Sequence, residues 1–179
     1  NVIFLDNHDI SRFLSVVHED LSKYKSALTW LMTYRGIPQL YYGAEIGMKN
    51  LSNPDGLVRE DFPGGWGKDT VNKFSVDGRN SVENEVHTLV KKLAHYRQQN
   101  AVLATGKFMH YVPENGIYVY FRYDDEKTVM VVMNTSTEEK ELQTVRFEQR
   151  MKGFNKAVNL VSEEKVNQLQ TLRIPANST

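Results

Sequence analysis

The densest run of hydrogen-bonding side chains in the sequence is Asp6-Asn7-His8-Asp9: two carboxylates, an amide and an imidazole in succession. Such groups bind hydroxyl-rich ligands, and a carboxylate among them can stabilise positive charge that develops in a transition state. The same tetrapeptide also suits a helix-capping turn, because Asn and Asp satisfy nearby backbone groups. On residue types alone the two readings stand level. Farther along, Asp55 and Arg59 lie four apart. They present a carboxylate and a guanidinium fork to hydroxyls, or they form a solvated ion pair without function. Charge spacing by itself favours the ion pair. His18-Glu19-Asp20 reads as an exposed helix start. His87 and His95 are too far apart along one helix to share a metal ion, and His110 falls in a strand. The sequence carries no zinc spacing, no nucleotide-binding glycine loop and no Gly-x-Ser-x-Gly elbow.

These residues need elements to position them. Val2-Ile3-Phe4-Leu5 is a short, continuous apolar run, as expected of a buried parallel strand. Leu21, Tyr24, Leu28, Leu31 and Met32 share one face of a helix predicted over about 21–35. Gly36 stops that helix, and Gln39-Leu40-Tyr41-Tyr42-Gly43 reads as a second strand opened by Pro38. Asn80 and Glu83 form a capping pair. Val82, Val86, Leu89, Val90, Leu93 and Arg97 mark the helix that follows. Strand, helix, strand, loop and helix in that order argue for a parallel α/β sheet.

In such sheets ligands bind at the carboxyl ends of the strands. The polar tetrapeptide follows the first strand directly. After the second strand comes the aperiodic stretch 44–80, far longer than the usual ~2–6 residues for such a connection. Both features lie on the same rim, and that coincidence favours a site.

After about residue 103 the texture changes to β-rich runs at 108–112, 117–123 and 128–133, separated by the polar turns 113–116 and 124–127. Two further strands are predicted near 158–161 and 169–174. Short strands at regular spacing indicate an antiparallel β-sandwich. The boundary is placed near Ala104-Thr105-Gly106, giving domains 1–103 and 104–179.

Composition excludes other classes. Lys plus Arg equals Asp plus Glu at 22 each, so no charge imbalance points to nucleic acid or an anionic membrane. No apolar run is long enough to span a membrane. The absence of cysteine excludes disulfide scaffolds, Cys-zinc sites and thiol catalysis. Residue 1 opens directly into an apolar run without a leader, so the chain reads as mature or cut.

Phe4-Leu5-Asp6-Asn7-His8-Asp9 resembles the Phe-x-x-Asn-His-Asp motif that follows the seventh barrel strand in the α-amylase family of glycoside hydrolases. Gly36-Ile37-Pro38-Gln39-Leu40-Tyr41-Tyr42-Gly43-Ala44-Glu45 resembles that family's eighth-strand signature, Gly-x-Pro-x-x-Tyr-Tyr-Gly-x-Glu. The two occur in the family's order with one helix between them. Asp55 and Arg59 match an Asp-x-x-x-Arg pair found after the eighth strand in many members. Arg59 with Asp61-Phe62-Pro63-Gly64-Gly65-Trp66 is similar to the neopullulanase and cyclomaltodextrinase branch, particularly the starch-utilisation enzymes of gut Bacteroidetes.

The resemblance implies a fold of class α/β followed by all-β: the last two strand-helix units of a (β/α)8 barrel, then the family's antiparallel sandwich, domain C. It implies that Asp9 is the transition-state-stabilising carboxylate. His8 would bond the same sugar, Asn7 would support it, and Asp55 and Arg59 would bind sugars on the non-reducing side. The family's nucleophile and acid/base follow its fourth and fifth strands, so the chain is expected to be a fragment that lacks both and is inactive alone. The implied substrates are α-glucan oligosaccharides, with α-1,4 and α-1,6 bonds. A transglycosylase or isomerase of the family, or a non-catalytic α-glucan-binding or structural piece, are the alternatives. No cofactor is implied; calcium stays open for the parent protein, with no site visible here. The resemblance favours export to the periplasm or beyond.

Overall fold

The computed structural model describes residues 1–179. Packing divides them into two compact units: residues 1–32 with 36–92, and residues 33–35 with 93–179.

The first unit opens with strand β1 (Val2–Ile3), the short helix α1 (Phe13–Val16), helix α2 (Leu21–Thr33) and strand β2 (Ile37–Pro38). β1 and β2 pair in parallel, Val2 opposite Ile37 and Ile3 opposite Pro38. Helix α2 starts where His18 and Glu19 take left-handed backbone angles and Asp20 accepts the Lys23 N–H at 3.0 Å. Its apolar face packs as the spacing predicts: Tyr24, Leu28, Leu31 and Met32 are buried. Helix α3 (Ser81–Gln99) begins with a reciprocal cap. Glu83 N–H donates to Asn80 Oδ1 at 2.9 Å, and Asn80 N–H donates to Glu83 Oε2 at 2.9 Å. Val86 and Val90 of α3 close on Leu14, Tyr24 and Leu28 to form this unit's core. Val82 lies in the first turn of α3 and stays exposed, against the predicted face.

The second strand is shorter and earlier than the aromatic run suggests. Pairing stops at the Gln39 N–H, which reaches the Ile3 carbonyl at 2.8 Å. Beyond it the Tyr42 carbonyl is taken by the Arg12 side chain, and Gly43 turns the chain at φ 80° into a 3-10 turn over Ala44–Ile46. The rings of Tyr41 and Tyr42 pack on each other and on Arg12, and beyond Gln39 the backbone finds no ladder.

The second unit contains the end of α3, the short helix α4 (Ala101–Ala104) and an antiparallel sheet of β3 (Lys107–His110), β4 (Ile117–Tyr123) and β5 (Thr128–Asn134). Strand β6 (Lys140–Gln143) pairs with β9 (Thr171–Ile174). Helix α5 (Glu148–Met151) and a hairpin of β7 (Ala157–Val158) and β8 (Lys165–Val166) lie between them in sequence. Both predicted turns form. Asn115 and Gly116 carry positive φ, and Asp124 accepts the N–H groups of Glu126 and Lys127 at 2.9 and 2.7 Å. Alternate residues of β4, Ile117, Val119 and Phe121, face Phe147, Leu142 and Ile174 in the sandwich core. The opposite face sends the Tyr120 hydroxyl to Thr33 Oγ1 at 2.6 Å and Arg122 Nη1 to the Tyr34 carbonyl at 3.1 Å. These contacts are why residues 33–35 pack with the second unit.

Candidate functional site

The chain leaves β1 and divides the polar tetrapeptide between two tasks. Asp6 turns inward, 2% exposed, and its carboxylate accepts the Phe13 N–H at 2.9 Å. Burial pushes its pKa above the ordinary 3.8, while the Phe13 N–H and the Arg12 charge pull the other way. Asn7 Oδ1 accepts the N–H groups of Asp9 and Ile10 at 2.8 and 3.2 Å, which folds the turn. The capping reading therefore holds for Asp6, which bonds the first residue of α1, whereas Asn7 closes a turn ahead of that helix. His8 and Asp9 do no such work: their side chains are 64% and 63% exposed, with His8 Nε2 3.3 Å from Asp9 Oδ2.

Arg59 gathers the remaining candidates. Its Nε donates to the His8 carbonyl at 2.9 Å. Its Nη2 lies 3.6 Å from Asp9 Oδ1 and 3.2 Å from Asp55 Oδ1. Residues from two separate stretches, 8–9 and 55–59, thus meet around one guanidinium. All of these side chains are solvent-exposed, and ion pairs there contribute only ~0–1 kcal/mol. The cluster does little for stability, so holding the fold together does not explain it.

What fixes Arg59 is a residue that sequence reasoning passed over. Arg12 is 1% exposed. Its N–H donates to the Asn50 carbonyl at 2.9 Å, its Nε to the Val58 carbonyl at 3.1 Å and its Nη1 to the Tyr42 carbonyl at 2.7 Å. The guanidinium lies 4.1 Å from the centre of the Tyr41 ring and 4.9 Å from that of Tyr42. One side chain therefore fastens the turn after β1, the segment after β2 and the 3-10 turn Leu57–Arg59 to one another. Tyr42 Oη adds a bond to the Glu60 carbonyl at 2.8 Å. The signal in the sequence was an arginine set against the apolar start of a helix, with two tyrosines available as ring partners.

A carboxylate held beside a guanidinium and an imidazole, open to solvent at the carboxyl end of a parallel strand, can accept and donate hydrogen bonds around a polyhydroxylated ring. It also places negative charge where a cationic transition state could form. No three His, Asp or Glu side chains gather to hold a metal ion. No helix is long and apolar enough to cross a membrane.

A barrel-type α/β segment with its polar cluster at a strand's carboxyl end, followed by an antiparallel sandwich, is the architecture of barrel glycosidases that carry a β domain. Residues 1–72 match the α-amylase catalytic domain family, and residues 108–179 match the cyclo-malto-dextrinase C-terminal domain family. The chain belongs to the α-amylase family of glycoside hydrolases.

A maltogenic α-amylase of Bacillus acidopullulyticus is 30% identical over 134 residues, covering 73% of this chain and 20% of that protein. A cyclomaltodextrin glucanotransferase of a Bacillus species is 29% identical over 133 residues, covering 74% of this chain and 16% of that protein. Among solved structures, the α-amylase of Geobacillus thermoleovorans complexed with acarbose superposes with a TM-score of 0.76 at 24% identity, over 99% of this chain and 37% of that one. The chain thus spans a fifth or less of the length of these curated relatives.

Proposed function

We propose that this chain is the C-terminal part of a retaining α-glucan hydrolase that cleaves α-1,4 and α-1,6 glucosidic bonds of starch-derived oligosaccharides. Residues 1–103 belong to its catalytic barrel and 104–179 to domain C. Asp9 stabilises the oxocarbenium-like transition state, His8 bonds hydroxyls of the same sugar, and Asn7 holds the turn that presents both. Asp55 and Arg59 bind the neighbouring sugar, with Arg59 orienting both carboxylates. The observation that carries this reading is the convergence of His8, Asp9 and Asp55 on Arg59 at the end of β1.

A retaining mechanism needs a nucleophile and an acid/base carboxyl about 5 Å apart. Asp6 is buried and engaged, and Asp55 is tied to Arg59, so the chain by itself is catalytically silent. The exposure of Val2 (55%) and Ile37 (66%), apolar residues on strands paired only with each other, supports the presence of further barrel strands in the whole protein. The likeness to a cyclomaltodextrin glucanotransferase supports a second reading, transglycosylation at the same site.

The experiment is Asp9→Asn in the full-length enzyme, assayed on maltodextrin with thermal melts as the folding control. The loss of one preorganised electrostatic group lowers turnover about 10²–10³-fold. A folded variant with near wild-type turnover removes Asp9 from the mechanism. Product analysis with excess glucose as acceptor separates hydrolysis from transfer.

A further inference from the structure

Asp55 and Arg59 are aimed by the backbone that carries them, and one amide closes that backbone. Asn50 is half-buried. Its Nδ2 donates to the Leu57 carbonyl at 3.1 Å and to Glu60 Oε2 at 2.9 Å, so both amide hydrogens are used. Two acceptors around one atom also settle the orientation of the amide, because its oxygen in that place would face two oxygens. The two partners bracket Arg59: Leu57 stands two residues before it and Glu60 directly after it. The bond to Leu57 closes the stretch 51–56, which contains Asp55, into a loop. The Arg59 N–H adds a bond to the Gly56 carbonyl at 2.9 Å.

The closed loop is also fastened to the turn after β1. The Asn50 carbonyl accepts the Arg12 N–H at 2.9 Å, and the Ser52 N–H donates to Ser11 Oγ at 3.0 Å. Glu60 is held from a second side, since its carbonyl accepts the Tyr42 hydroxyl at 2.8 Å. At Asn50, therefore, the segment that carries Asp55 and Arg59 is closed on itself and tied to the segment that carries His8 and Asp9. An amide suits the place because its two donors serve a carbonyl and a carboxylate at once, whereas an aspartate of the same shape has none to offer. The contact of Arg59 Nε with the His8 carbonyl at 2.9 Å needs these two segments in register.

We infer that Asn50 is a positioning residue for the reaction, acting through Arg59 and Asp55 by clamping the loop that presents them. This rests on the function proposed above.

The test measures kcat and KM on maltoheptaose, with thermal melts, for the full-length enzyme and for Asn50→Asp, Arg59→Ala and the two combined. Asn50→Asp keeps the shape of the side chain, removes both donors and sets a second carboxylate against Glu60. It is expected to lower kcat/KM about tenfold, since a displacement near 1 Å of a positioned group costs up to about 10²-fold. In the Arg59→Ala background the same exchange is expected to cost less than about threefold, because the residue it acts through is gone. Adding Glu60→Gln to Asn50→Asp restores an amide–carboxylate pair with the roles exchanged, and part of the loss is expected to return. Should Asn50→Asp fail to fold, Asn50→Ala removes the donors without adding charge and takes its place. Wild-type kcat/KM in the Asn50 variant, a loss of equal size with and without Arg59, or a lowered melting temperature as the only effect would each overturn the positioning role. An Arg59→Ala enzyme with unchanged kcat/KM would instead overturn the functional reading of the site, and the role of Asn50 with it.

Discussion

Asp6 and Asp9 lie three residues apart and carry the same functional group in opposite surroundings. Asp6 is enclosed and bonded to the Phe13 N–H, whereas Asp9 stands open beside Arg59. The enclosure has a consequence for pH. The folded-state pKa of Asp6 is raised above 3.8, chiefly by burial, so the proton binds more tightly in the folded state than in the unfolded one. Its contribution therefore favours folding fully below 3.8 and is lost as pH rises through the raised value. An Asp6→Asn variant cannot lose a proton and lacks this dependence. The melting temperature of wild type minus that of Asp6→Asn is expected to fall as pH is raised from about 3 towards neutrality. A difference that grows with pH would show that Arg12 and the Phe13 N–H outweigh burial.

At the scale of elements, the site depends on three loops that share no ladder. β1 and β2 contribute only two paired residues each, and beyond them the loops are joined by single backbone bonds, such as that from the Arg12 N–H to the Asn50 carbonyl, and by side chains. Arg12 reaches the Val58 and Tyr42 carbonyls while lying against two tyrosine rings, a set of contacts that needs the planar guanidinium. Lysine keeps the charge but cannot reach both carbonyls from one fork. Arg12→Lys is expected to cost about 2–3 kcal/mol, the scale of losing a charge-assisted hydrogen bond in a buried place. It is also expected to lower kcat/KM, because Val58 adjoins Arg59. Denaturant titration of the full-length enzyme together with steady-state kinetics checks both. A variant that keeps both its stability and its activity would mean that the loops are held by other contacts.

At the scale of the whole chain, sequence texture and packing place the division differently. Composition changes near residue 104, whereas the second compact unit begins at Leu93, inside helix α3. The segment around 100–106 is firmly held. Val102 and Leu103 are buried, Lys127 Nζ bonds Asn100 Oδ1 at 2.5 Å, and Arg122 Nη2 bonds the Gly106 carbonyl at 3.0 Å. Limited proteolysis is therefore expected to cut first in the exposed stretch around 51–57 and to spare 100–106. The C-terminal product should retain α3. A stable fragment that starts at 104–108 would show that the chain parts at the boundary that composition marks.

The sequence by itself determined whatever is set by local spacing. The amphipathic faces of α2 and α3, the Asn80–Glu83 cap, the turns at 113–116 and 124–127 and the strand 117–123 all follow from period and turn chemistry within a few residues. The motifs around Asp9 and Arg59 were legible only through their resemblance to the α-amylase family; spacing alone left the first undecided and favoured a plain ion pair for the second. Tertiary structure decided what depends on partners distant in sequence. The aromatic run 39–43 is not a strand, because Arg12 takes the Tyr42 carbonyl and Gly43 turns the chain. Asp55 and Arg59 form the exposed ion pair that their spacing suggests, and Arg59 Nε also reaches the His8 carbonyl, a partner 51 residues away in sequence. Asp6 caps a helix, whereas Asp9 faces solvent, because folding buries one and leaves the other out. Spacing along the chain fixes periodicity and capping, but the burial of a charge and the convergence of separated loops exist only once the chain has closed on itself.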